Sequence, residues 1–122
     1  MNLLHFIETK VFQRVIDGLL SPDELREFQE VLRQDPTAGD TISGTGGCRK
    51  IRWALPGMGK SGGIRVIYYY LTADNEVFLL IAYPKNEKDN LTNAEKNQLK
   101  KAVEGIEQAS QEARGRNEKR TL

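Results

Sequence analysis

The sequence predicts an α+β domain with the element order β-α-α-β-β-β-α, a small antiparallel-rich sheet covered by an αα-hairpin and a C-terminal helix. Three observations carry this. Two S/T-x-x-E capping boxes each precede a stretch with helical apolar spacing. Two long runs in the middle of the chain are β-branched and aromatic. The segments between them are rich in glycine, proline and asparagine. Taken in order, residues 3–8 are short and apolar-rich and read as a first strand. Thr9 can cap a helix, and Phe12, Val15, Ile16, Leu19 and Leu20 then recur at amphipathic spacing. A second helix begins at Ser21-Pro22-Asp23-Glu24, with Ser21 as cap, Pro22 where its missing N–H costs nothing, and Glu24 closing the box. Leu20 and Leu25 are spaced for a hydrophobic staple, and Leu25, Phe28, Val31 and Leu32 form the apolar stripe. Asp35-Pro36 ends this helix, so residues 9–34 read as an αα-hairpin.

A loop follows with Gly39, Gly44, Gly46 and Gly47. Strands are expected over 48–54, 63–71 and 76–83, the last two joined by an Asp74-Asn75 turn and the first two by a longer connection over 55–62. Thr92-Asn93-Ala94-Glu95 is the second capping box. The helix it opens should bury Leu99, Ala102, Val103, Ile106 and Ala109, with Gly105 weakening it by about 1 kcal/mol relative to alanine. The expected domain spans residues 1–113, and residues 114–122 read as a flexible polar tail.

A chain of 122 residues is one domain and buries enough surface to fold without a metal or disulfide. Cys48 is the single cysteine and His5 the single histidine, which leaves no disulfide framework, no cysteine-cluster zinc site and no mechanism built on two imidazoles. No apolar run reaches the roughly 20 residues of a membrane span, and residues 1–8 lack the basic and long apolar regions of a secretory signal. The expectation is a cytoplasmic protein with no membrane partner.

The net charge of +1 conceals a segregation. Residues 1–48 carry 4 Lys/Arg against 8 Asp/Glu, whereas residues 49–101 carry 10 against 5. A basic segment inside a folded domain points to a polyanion partner, against the plainer reading of charges scattered over solvated faces. Ala54-Leu55-Pro56-Gly57-Met58-Gly59-Lys60-Ser61 imitates a phosphate loop, but a glycine pair and a β-branched strand follow it where that motif needs a helix N-terminus. Cys48 reads as a small hydrophobe at a strand start, and Thr92 in Asn90-Leu91-Thr92 as a helix cap, not part of a glycosylation site.

The basic strand residues say more. In Arg49-Lys50-Ile51-Arg52-Trp53, alternation puts Lys50 and Arg52 on one face, about 6.6 Å apart. Arg65 interrupts an otherwise apolar and aromatic strand, where a cation is costly unless it meets an anion. That anion is either a carboxylate of the acidic first third or a phosphate. Neighbouring strands can gather Lys50, Arg52 and Arg65, with Lys85 joining from a strand end and Tyr68, Tyr69, Tyr70 and Tyr83 close by.

At these residues the sequence resembles the RelE superfamily of bacterial toxins, most closely its HigB-like branch. The resemblance rests on Phe6-Ile7-Glu8-Thr9, Gly39-Asp40, the run from Gly44 to Ala54, the run from Gly59 to Tyr70, and Tyr83-Pro84-Lys85-Asn86-Glu87-Lys88. It covers about residues 3–105 and implies a RelE-like fold. It further implies the toxin of a type II toxin–antitoxin system, a nuclease that cuts messenger RNA in the ribosomal decoding site without metal or cofactor. The implied partners are a cognate antitoxin of helix-turn-helix type, the ribosome with its mRNA, and operator DNA only through the antitoxin complex. Carried over by position, Lys50 and Arg52 match the basic pair of the second strand and Arg65 the arginine of the third. Lys85 or Lys88 stands in for a C-terminal arginine, and Arg49, Lys60, Lys88 and Tyr83 are the implied RNA-binding residues. The tyrosine expected near the final helix is absent, with Thr92 near its place, so the general acid or base stays open.

The residue inventory agrees with this chemistry. RNA carries its own nucleophile, the 2′-OH, and cations on a rigid sheet stabilise the charge that builds on the attacked phosphate. A lysine held among other cations can serve as base. Lys50 is the candidate base, Arg52 and Arg65 the phosphate clamps, and Lys85 a supporting cation. Two other readings stay open: a ParE-like inhibitor of DNA gyrase, which needs no cationic cluster on its sheet, and a catalytically degenerate protein that only binds its antitoxin.

Overall fold

The computed structural model describes residues 4–54, 63–85 and 90–121, with side chains up to residue 116. The strands are β1 (His5–Glu8), β2 (Asp40–Thr41), β3 (Arg49–Trp53), β4 (Ile64–Leu71) and β5 (Glu76–Pro84). The helices are α1 (Lys10–Ile16), α2 (Pro22–Gln34) and α3 (Asn93–Thr121). The α+β class read from the sequence is the class of the structure. The strands form one sheet in the order β1-β5-β4-β3-β2. The β3–β4–β5 meander is antiparallel as expected, but β1 joins the far edge parallel to β5, so the sheet is mixed. The two-residue strand β2, which the sequence reading left inside the glycine-rich loop, pairs antiparallel with β3.

Local chemistry accounts for the helix starts. Thr9 Oγ1 accepts a hydrogen bond from Phe12 N and donates one to Leu80 O, so the cap of α1 is also pinned to the sheet. The Leu80 carbonyl is reachable because β5 carries a bulge there: Ile67 pairs with Ile81 and Tyr68 with Leu79. Ser21 and Glu24 form the complete capping box of α2, and Thr92 and Glu95 form that of α3.

The sheet has two covered faces. On one, the αα-hairpin packs Phe12, Ile16, Phe28 and Leu32 against Ile64, Val66, Tyr68, Val77 and Leu79. Phe28 meets Trp53 edge-on with ring centroids 5.4 Å apart. On the other, α3 lays Leu99, Val103 and Ile106 over Cys48, Ile67 and Leu80. The glycine-rich loop passes under α3: Gly46 and Gly47 have φ of 77° and 117°, and a Cβ at Gly47 would sit 3.3 Å from the Tyr69 ring.

Residues 114–121, read from the sequence as a polar tail, continue the helical backbone of α3 through Gly115 to Thr121. A polar cluster anchors the helix where its apolar stripe ends. Asp74, in the single 3-10 turn between β4 and β5, accepts from Ser110 Oγ at 2.6 Å and from Arg114 Nη1 at 3.0 Å. Tyr69 Oη donates to Glu107 one turn earlier.

Candidate nucleic-acid interface

The half of the second sheet face that α3 leaves uncovered carries the cations. Along β4, Arg65, Ile67 and Tyr69 point to this side, and α3 covers Ile67 and Tyr69 but not Arg65. The result is a cleft of about 490 Å³ walled by Asp40, Lys50, Arg52, Arg65, Lys85 and Asn90, with Ala38 and Ile51 beside them. The four cations assigned to catalysis from the sequence therefore meet in one place. Each is positioned by a strand. Lys50 and Arg52 alternate along β3, and Lys85 follows β5, where its N–H bonds Gly63 O at 3.1 Å and ties the strand end to the start of β4.

Electrostatically the cleft is unbalanced. Arg52 and Arg65 are direct cross-strand partners, an arrangement of like charges that is unfavourable by itself. Arg65 is only 4% exposed, and among the described residues its guanidinium makes one long hydrogen bond, 3.5 Å, to the carbonyl of its neighbour Ile64. The ion pairs among the described residues are Arg26–Asp23, Arg33–Glu30 and Arg114–Asp74, all outside the cleft. The carboxylate that could have explained Arg65 structurally is thus absent among the described residues. A buried cation without a counter-charge is expensive, and an arriving anion relieves that cost.

The remaining sequence candidates go elsewhere. Arg49 sits on the opposite side of β3 from Lys50 and Arg52, where its Nη1 donates to Thr37 O at 3.2 Å and Gly39 O at 2.8 Å. Its cross-strand partner Tyr68 does the same work, with Oη donating to Pro36 O at 2.8 Å and accepting from Gly39 N at 2.9 Å. Arg49 therefore holds the 36–39 loop from the face of β3 that points away from the cleft. Tyr83 is 7% exposed and packs in the apolar cluster under α3, beside Arg65 in the register but not on the cleft surface. Lys60 and Lys88, and most of the phosphate-loop-like stretch, lie outside the described residues. Burial pushes the Cys48 thiol up and Thr45 caps its backbone N–H, consistent with a core side chain.

Sequence reasoning assigned no role to Asp40 or Asn90, which share the cleft wall. Asp40 is exposed and stands directly opposite Lys50 across β2 and β3. The signal for it was the Gly39-Asp40 pair. A side chain at Gly39 would lie 2.9 Å from Tyr68 Cε1 and 3.0 Å from Lys50 O, so glycine alone lets the loop close and bring Asp40 into register.

In comparison with known families, a model described as RelE toxin of RelE / RelB toxin-antitoxin system fits residues 6–117. The match includes every strand that contributes to the cleft and runs past residue 105, where the resemblance read from the sequence stops.

Proposed function

The chain belongs to the RelE toxin family of toxin–antitoxin systems, and on that premise we propose that it is an endoribonuclease that cuts messenger RNA on the ribosome. The observation that carries this reading is Arg65: a buried cation with no carboxylate partner among the described residues, opening into a cleft with Lys50, Arg52 and Lys85. In the reaction, the 2′-oxygen of one nucleotide attacks the adjacent phosphorus as its proton passes to Lys50. The bond to the 5′-oxygen of the next nucleotide breaks, and that oxygen takes up a proton from solvent water. The products are a 2′,3′-cyclic phosphate and a 5′-hydroxyl. Arg52 and Arg65 clamp the phosphate and offset the charge added in the pentacoordinate transition state, with Lys85 as a third cation. Strand-borne side chains do this well because the sheet fixes their spacing before substrate arrives.

Family membership implies an antitoxin partner. We place the chain with the HigB-like branch on the block from Gly44 to Tyr70, with a helix-turn-helix antitoxin. Among the described residues no helix is long and apolar enough to cross a membrane. The test is induction of the protein alone. Amino-acid incorporation should fall before DNA or RNA synthesis does, and primer extension should find new 5′ ends inside translated reading frames. Normal incorporation at full soluble expression sinks the nuclease reading, and loss of supercoiling activity instead would turn the assignment toward gyrase.

A further inference from the structure

We propose that the cleft continues into a nucleobase pocket next to the phosphate site, in which Asp40 reads the base and selects guanine. This rests on the RNA-cleaving reading above and adds the base it recognises. A second hollow of about 350 Å³ adjoins the cationic cleft, and Asp40, Lys50 and Asn90 belong to the walls of both. Its far side is formed by Ile42, Leu91 and Lys96. Its size lies within the roughly 300–1,000 Å³ of small-molecule sites.

The chemistry changes from one hollow to the other. The first is cationic and suits phosphate. The second has two half-buried apolar side chains, Ile42 and Leu91, both seated on the cluster beneath α3 and so held in place. Apolar side chains of this kind sandwich an unstacked base. At the far end Lys96 is set to take the next phosphate: its stem runs past Gly44, where a Cβ would meet Lys96 Cδ at 3.9 Å. Phosphate cleft, base pocket and second cation follow one another as phosphate, nucleoside and phosphate do in a single strand.

Asp40 decides the specificity. A carboxylate beside a phosphate site repels the substrate, and Asp40 takes part in no ion pair among the described residues that would explain its presence. Its free oxygens are acceptors only. Guanine alone among the RNA bases offers two parallel donors, N1–H and N2–H, on its Watson–Crick edge, which a carboxylate accepts as a bidentate pair. Adenine, cytosine and uracil set a donor beside an acceptor that the carboxylate would repel. The Tyr68 and Arg49 contacts to the 36–39 loop hold Asp40 at the junction of the two hollows before RNA binds.

The test is a cycle across protein and base. Uncleavable 2′-O-methyl RNA hexamers of constant sequence, carrying one guanosine, inosine or uridine, are titrated to millimolar concentration into wild type, Asp40→Asn and Lys96→Ala, followed by NMR. Wild type should prefer guanosine over uridine by roughly tenfold or more, the discrimination typical of a bidentate pair. Inosine, which lacks the second donor, should lose most of that preference. Asp40→Asn should bind all three alike, and Lys96→Ala should weaken all three equally with a salt slope shallower by about one. No binding at millimolar RNA, no base preference in wild type, or an unchanged preference in Asp40→Asn overturns the pocket. Mapping cleavage sites on mRNA separates the two ideas. Cutting whose site distribution is identical in Asp40→Asn removes the pocket and leaves the nuclease, whereas guanosine-selective binding without cutting removes the nuclease and leaves the pocket.

Discussion

Replacing Arg65 with alanine separates a structural cation from a functional one, because the two roles predict opposite signs for stability. Had Arg65 been half of a buried ion pair, its loss would strand a carboxylate at a cost of about 3–5 kcal/mol. At the several degrees per kcal/mol typical of domains of this size, that lowers Tm by roughly 10–20 °C. The structure instead shows an arginine 4% exposed whose one hydrogen bond among the described residues is a 3.5 Å approach to Ile64 O. No carboxylate among the described residues is stranded when it leaves. The like-charge pairing with Arg52 is relieved, and the space vacated opens to the cleft and fills with water. The melting temperature should therefore stay within a few degrees of wild type or rise. Activity should behave differently: losing one preorganised donor to a developing anion costs about 100- to 1,000-fold in rate. Arg65→Lys, which keeps the charge and loses the fork, should fall between. Melts and cleavage of mRNA on programmed ribosomes are to be measured on one preparation. A folded Arg65→Ala protein cleaving at the wild-type rate refutes the assignment, and a Tm loss above about 10 °C refutes the account of its surroundings.

Gly39→Ala should destabilise by roughly 1–3 kcal/mol in a denaturant titration, because the new Cβ lies 2.9 Å from Tyr68 Cε1 and 3.0 Å from Lys50 O. Tyr68→Phe leaves the buried Gly39 N–H without its acceptor and should cost about 1–3 kcal/mol by the same measurement. Burial, followed by the hydrogen bond to Glu107, pushes the Tyr69 hydroxyl up to about 12. The unfolded chain ionises it near 10, so this contribution is intact below pH 10 and is lost as pH rises from about 10 to about 12. Tyr69→Phe should flatten that part of a stability–pH curve, and an unchanged slope would discount the contact. Arg49→Ala should lower stability through the freed loop carbonyls of Thr37 and Gly39, with a smaller effect on cleavage rate than Arg65→Ala.

What could be read from the sequence follows the range of the interaction. Ser21-x-x-Glu24 and Thr92-x-x-Glu95 are local, and both boxes form as spelled. The run from Ile64 to Leu71 is apolar or aromatic at both parities save Arg65, the mark of a central strand, and it is fourth of five in chain order but third in space. The parallel partnership of β1 with β5 joins residues some seventy positions apart and leaves no local pattern. The last turns of α3 looked like a fraying tail because apolar spacing stops, while the Asp74–Ser110–Arg114 contacts that anchor the helix are polar and long-range. In the cleft, alternation along β3 was enough to join Lys50 with Arg52, and the same parity already set Arg49 on the other side. Asp40 could not be placed, because its position opposite Lys50 depends on a loop closed by Tyr68 from another strand.

The charge segregation along the chain acquires a spatial meaning from this arrangement. The basic middle supplies the strands whose cations line the cleft, whereas the αα-hairpin on the other face is nearly neutral: residues 9–34 carry 4 Lys/Arg against 5 Asp/Glu, and Asp23 and Glu30 pair with Arg26 and Arg33. The sheet therefore separates a nearly neutral layer from a positive cleft. Such a molecule approaching a polyanion is turned cleft-first, which raises the productive encounter rate without adding a contact in the site. The same asymmetry suits an antitoxin with an acidic segment over the cleft. Both processes then depend on ionic strength through the same few side chains. Salt should slow antitoxin association and RNA binding together, whereas a substitution on the hairpin's outer surface that removes an acidic residue should alter association rates while leaving the cleft geometry intact.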